Sequence, residues 1–214
     1  MKPPHNRRSR KEAEIRRPVE SWHGGGDVEI HHYALSLHNA ARRLISALEQ
    51  NPKTSTSYDI CPVVLLYRQA LEIHLKRLVG EGSNFLPSPT DPISLTTTHS
   101  LRWLAQIVGR INKAIGWESD FMCEGVSSLA EFNALVNEIE AFDPVARAIV
   151  SAGSSKSVAE YYEAFDIFHF ALKLDALLDL LDSTTEALAA EWEQRAGAST
   201  DDDFGSGDFG STIQ

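Results

Sequence analysis

Apolar side chains recur through the middle of the chain in steps of three and four, the repeat of a helix that buries one face. From Asp27 they fall at Ile30, Ala34, Leu37, Ala41, Leu44 and Leu48. Asn51-Pro52 closes this first helix, because a residue before proline is pushed out of the helical region. A second helix, from Ser57 or Pro62 to Val79, carries Leu71, Leu75 and Leu78. Gly80 and Gly82 end it, and 83–96, with Pro87, Pro89 and Pro92, reads as a loop. A third begins near Thr98, with a threonine as its N-cap, and runs through Leu101, Leu104, Val108, Ile111 and Ile115 to Gly116. A fourth opens on Ser128-x-x-Glu131, a capping box, carries Leu129, Phe132, Val136 and Ile139, and stops at Pro144. A fifth opens on Ser157-x-x-Glu160 and runs toward Trp192. Phe165, Phe168, Leu172 and Ala176 share one of its faces, and leucines up to Leu188 widen the apolar surface. The only candidate strand, Ala148–Ser151, is short. The expected fold is all-α: a single up-down helical bundle of about five helices with a long C-terminal helix.

Composition adds boundaries. Hydrophobic residues make up 43% of 214, enough for one core. Residues 1–25 hold Lys2, Arg7, Arg8, Arg10, Lys11, Arg16 and Arg17 against Glu12, Glu14 and Glu20, while 201–214 hold Asp201, Asp202, Asp203 and Asp208. Neither end has periodic apolar residues to offset its ordering entropy. The reading is therefore a disordered basic arm over 1–26, a bundle over 27–195 and a disordered acidic tail over 196–214. Lys+Arg number 20 against 30 Asp+Glu, a net charge of -10, which counts against a broad basic face for nucleic acid. Two cysteines, Cys61 and Cys123, make no disulfide framework and suggest a reducing cytoplasm. No run reaches the roughly 20 apolar residues of a membrane span. Phe165–Leu181 is broken by Asp166, Lys173, Asp175 and Asp179, so no membrane association is expected.

Three segments carry a resemblance. The second helix reads Tyr67-Arg68-Gln69-Ala70-Leu71-Glu72-Ile73-His74-Leu75-Lys76; the third opens Thr98-His99-Ser100-Leu101-Arg102-Trp103-Leu104; the fourth ends Phe142-Asp143-Pro144-Val145-Ala146-Arg147. In this order they resemble bacterial HEPN-like proteins, whose chains show "YRxALExxLK", "HxLxxL" and "FDPxSxxFRY" before a long closing helix. The chain departs from the third pattern after Pro144, with Ala146 for the serine and Val150-Ser151 for the Arg-Tyr pair. The resemblance implies a helical bundle that often dimerises, in bacterial defence, toxin–antitoxin or nucleotide-linked regulation. Some members of the superfamily cut RNA with an Arg-x4–6-His motif; others act as binding or scaffold modules.

Arg68 and His74 fit that motif, and an arginine holding phosphate beside a histidine suits metal-independent cleavage at a 2′-hydroxyl. The same spacing recurs at Arg17/His23, however, and six helical residues turn the two side chains about 120° apart. The other reading of this helix is a ladder of ion pairs, Arg68, Glu72 and Lys76 at successive steps of four. His99 either faces Arg68 or Arg147 across an anion-binding groove or hydrogen-bonds to a neighbouring helix. Asp143 and Arg147 form a conformational turn or line the same groove. His23, His31, His32 and His38 lack the spacing of a metal site and read as solvated or core histidines. No phosphate-binding, dinucleotide or nucleophile-elbow motif is present, so no cofactor or metal is expected. Two functions stand side by side: a HEPN-like module that dimerises and binds a protein partner or a nucleotide or RNA ligand, and a metal-independent ribonuclease using Arg68 and His74. Surplus leucine from Leu172 through Leu188 predicts the homodimer.

Overall fold

A computed structural model describes residues 26–51, 60–152 and 166–201; at 26–27, 143–152 and 196–201 it describes the backbone alone. Within these residues lie six α-helices: α1 (Gly26–Gln50), α2 (Ile60–Gly82), α3 (Pro92–Thr97), α4 (Leu101–Ile115), α5 (Leu129–Ala152) and α6 (Ile167–Asp201). A 3-10 turn, Ser83–Phe85, follows α2. Among the described residues there is no strand, only an isolated bridge between Cys123 and Val126. The chain is all-α, with a long helix toward its C-terminal end. The opening of the fifth helix at Ser157 and most of the two charged ends lie outside the described residues.

α2 is the central element and packs against every other helix. Tyr67, Leu71, Leu75 and Leu78 are fully buried, and they meet Leu104, Val108, Ile111, Phe132, Ile139, Leu174, Leu177 and Leu181 in one core. Each such leucine contributes about 2 kcal/mol on leaving water. The leucines expected to be surplus on the last helix are largely used here. Leu174, Leu177, Leu178, Leu181 and Leu188 are buried in the chain's own core, leaving Phe168 and Leu172 exposed.

Caps explain where several helices begin and end. Ser100, two residues beyond the expected threonine, caps α4: its hydroxyl accepts the Trp103 amide at 3.3 Å. Thr98 instead closes α3. Gly116 ends α4 in the left-handed region at φ 86, which an L side chain rarely adopts. The capping box of α5 forms: Ser128 Oγ accepts the Glu131 amide at 3.2 Å, and Glu131 reaches back to the amide and hydroxyl of Ser127, both at 2.7 Å. Ser128→Ala is expected to lower stability by about 1 kcal/mol, read as a shift in the urea midpoint at constant slope.

Three expectations change. Pro92 does not merely punctuate a loop but occupies the first turn of α3, where its missing N–H costs nothing and Asp91 caps the helix by accepting the Ser94 amide at 3.0 Å. Pro144 does not stop α5, whose backbone continues to Ala152. A proline deletes one hydrogen bond, and Val145–Val150 after it, with no glycine or second proline, carries the helix on. α6 likewise continues past Arg195 to Asp201, into the stretch expected to be tail.

Candidate functional site

The expected ladder on α2 exists and is larger than three residues. Glu72 Oε2 accepts from Arg68 Nη1 at 3.3 Å, and Glu72 Oε1 accepts from Lys76 Nζ and from His99 Nδ1, both at 2.9 Å. Two further bonds tie this hub to the segment entering α4: Arg68 Nη2 donates to the His99 carbonyl at 3.2 Å and Lys76 Nζ to the Thr96 carbonyl at 3.4 Å. Burial pushes the Glu72 carboxyl up, but hydrogen bonds and charge from Lys76 and His99 prevail and hold it below its ordinary value. Arg68, Glu72, Lys76 and His99, expected as site residues, are thus brought together. The His99 ring itself stays 73% exposed and forms the outer lip of the cluster. Asp143 and Arg147 lie on α5, but their side chains fall outside the described residues.

His74 is not part of this cluster. Its side chain is 1% exposed, and neither ring nitrogen has a hydrogen-bond partner. Desolvation by burial lowers its pKa to about 4; nearby Arg77, His38 and His31 push the same way, and Asp182 at 3.8 Å opposes them. A neutral, enclosed imidazole cannot reach a ribose hydroxyl. Arg68, on another face of α2, is occupied by Glu72 and the His99 carbonyl. The two residues of the Arg-x5-His pattern therefore belong to different polar networks.

The network around His74 is a seam between α1, α2 and α6 that the sequence reading did not assemble. It has two layers. In one, Asp175 Oδ1 accepts from His38 Nε2 at 2.6 Å, Tyr67 Oη at 2.8 Å and Arg42 Nε at 3.0 Å, and Arg42 also reaches Asp179 at 3.1 Å. Burial raises the Asp175 carboxyl, yet these three donors prevail and hold it below its ordinary value. Burial, reinforced by Asp175, drives the Tyr67 hydroxyl far above its ordinary value, so it stays a proton donor. In the other layer, Arg77 Nη1 donates to Asp182 Oδ1 at 2.8 Å and to His31 Nδ1 at 2.6 Å. His31 Nδ1 also lies 3.2 Å from Asp182 Oδ1, which closes a triangle of Arg77, His31 and Asp182. His38 is a core histidine, as expected, though a hydrogen-bonded one.

The clue lay in spacing: His31/His38, Tyr67/His74 and Asp175/Asp182 each stand seven residues apart, two turns on one face. Polar groups at heptad spacing on otherwise apolar faces need one another when buried. Among the described residues no cluster could hold a metal ion, and no helix is long and apolar enough to cross a membrane. No family model, curated protein or solved structure matches this chain.

Proposed function

We propose that this chain is a HEPN-like helical module of the cytoplasm that works by dimerising and by binding a partner or a nucleotide or RNA ligand, rather than by cutting RNA. The observation that carries the reading is the separation of Arg68 from His74: one engaged at the Glu72 hub, the other enclosed with its basicity suppressed. General base catalysis needs an imidazole that is reachable and titrates near neutral pH, and His74 has neither property. The surface best suited to an anionic ligand is the edge where exposed His99 stands before Arg68 and Lys76, whose two charges exceed the single charge of Glu72. A place in bacterial defence or toxin–antitoxin regulation fits the HEPN resemblance.

The test is incubation of purified protein with single-stranded and hairpin RNA in the presence of a chelator, beside Arg68→Ala and His74→Ala, with thermal melts of all three. Wild type is expected to leave the RNA intact, and Arg68→Ala to melt modestly lower. Metal-independent cleavage by wild type, lost in both variants at unchanged melting temperature, overturns the proposal.

A further inference from the structure

His99 is the single residue between two helix ends. Thr98 closes α3 and Ser100 caps α4, so the backbone at His99 is fixed from both sides. Arg68 Nη2 holds the same residue by donating to its carbonyl at 3.2 Å. The ring is fixed as well. Its Nδ1 lies 2.9 Å from Glu72 Oε1, and that carboxylate is anchored by Lys76 Nζ at 2.9 Å and Arg68 Nη1 at 3.3 Å. A carboxylate can only accept, so Nδ1 carries the proton and the lone pair of the neutral ring is on Nε2. No described residue is bonded to Nε2, and the side chain of His99 is 73% exposed while that of Glu72 is nearly buried. A nucleophilic nitrogen thus faces open solvent on an imidazole oriented by an enclosed carboxylate, the way a histidine is held for bond making. An exposed ion pair adds little to stability, so stability alone does not account for this much positioning of a solvent-facing ring. Exposed His32 and His169 show the contrast: they lie on α1 and α6, and no described carboxylate is bonded to either ring.

We propose that His99 Nε2 is a phosphoryl acceptor, a modification site served by an N-phosphorylated donor, with Glu72 as its positioning residue. Charge suits an anionic reagent here: Arg68 and Lys76 bring two positive charges to the cluster against the one negative charge of Glu72, in a chain of net charge -10. The Nε2 lone pair attacks phosphorus from the solvent side. A new N–P bond forms, and the donor's N–P bond breaks with its electron pair leaving on the donor nitrogen. With phosphoramidate, whose nitrogen is already protonated, the leaving group is ammonia. Nδ1 keeps its proton throughout, and Glu72 at 2.9 Å balances the positive charge that develops on the ring. The inference rests on the reading of this edge as one that faces an anion, and not on dimerisation or on RNA.

The experiment treats the full chain with phosphoramidate at neutral pH and follows it by intact-mass and fragment-ion mass spectrometry, with circular dichroism to confirm the fold. One phosphoryl group is expected on His99, stable in alkali and lost in acid as an N–P bond is. It is expected to form about tenfold faster than on His32 or His169 of the same molecules. His99→Gln is expected to abolish the fast label at a nearly unchanged melting temperature. Glu72→Gln is expected to slow His99 by about tenfold while the rates at His32 and His169 stay as they were, a selective change that lost stability does not produce. Labelling of His99 no faster than of the other two exposed histidines overturns the proposal, and this comparison needs no variant to fold. An unslowed His99 in folded Glu72→Gln overturns it too, because the carboxylate then positions nothing. Either failure leaves the absence of RNA cleavage standing, since the RNA assay decides that by itself.

Discussion

Asp182→Ala is expected to destabilise the fold by about 3 kcal/mol. Asp182 is the anionic partner of Arg77, whose guanidinium is nearly buried between α1 and α6. Without the carboxylate, the nearly buried guanidinium loses its 2.8 Å acceptor in a site that also holds His31 and His74. For a chain of this size that cost corresponds to a melting temperature lower by roughly 6–12 °C. Asp182→Asn keeps an acceptor for Arg77 and is expected to lose about half as much. Urea unfolding of the two variants beside wild type gives the answer; a loss below about 0.5 kcal/mol in the alanine variant means that the ion pair does no more than a surface one.

The second large effect is on pH. His74 titrates at about 4 in the folded chain because burial disfavours its charged form, against about 6.5 for a free imidazole. Between those values the unfolded chain binds a proton that the folded chain refuses, so stability rises with pH across the window. The contribution is complete above about pH 6.5 and falls by about 3 kcal/mol on acidification to about pH 4. Glu72 and Asp175, both held below their ordinary carboxyl values, add their losses only in more acid solution. His74→Leu removes the titrating group from the same enclosed space. Its urea midpoints at pH 7.5, 5.5 and 4.5 are expected to change much less than those of wild type. An equally steep decline in the variant places the acid sensitivity elsewhere.

Local spacing made the Glu72 hub readable. Arg68, Glu72 and Lys76 are neighbours on one helix face whatever the rest of the fold does, and His99 follows at the start of the next long helix. The seam around Asp175 and Asp182 was not readable in the same way, because its partners lie as many as 137 residues apart and depend on three helices packing in register. Periodicity also misassigned Ile30 and Leu44 to the inner face of α1. Two stripes share that helix, and the true core stripe runs through His38, a residue that apolar counting skips. Six residues are too short for α3 to show a period, and Pro144 looks like a stop because a proline's missing donor is visible in sequence while the helix beyond it is not.

His38 and Arg77 also fix the order in which parts of this chain can become stable. Their acceptors, Asp175 and Asp182, are on the described helix nearest the C-terminus, while His38 itself is on the one nearest the N-terminus. During synthesis His38 emerges 137 residues before Asp175 and Arg77 105 residues before Asp182, so hydrophobic docking of α1 on α2 alone would enclose both without these acceptors. The seam between α1, α2 and α6 is therefore complete only once α6 is present to supply Asp175 and Asp182. A shortened chain ending before Asp175 keeps most of its apolar pattern and still lacks the anions that let its first helix settle.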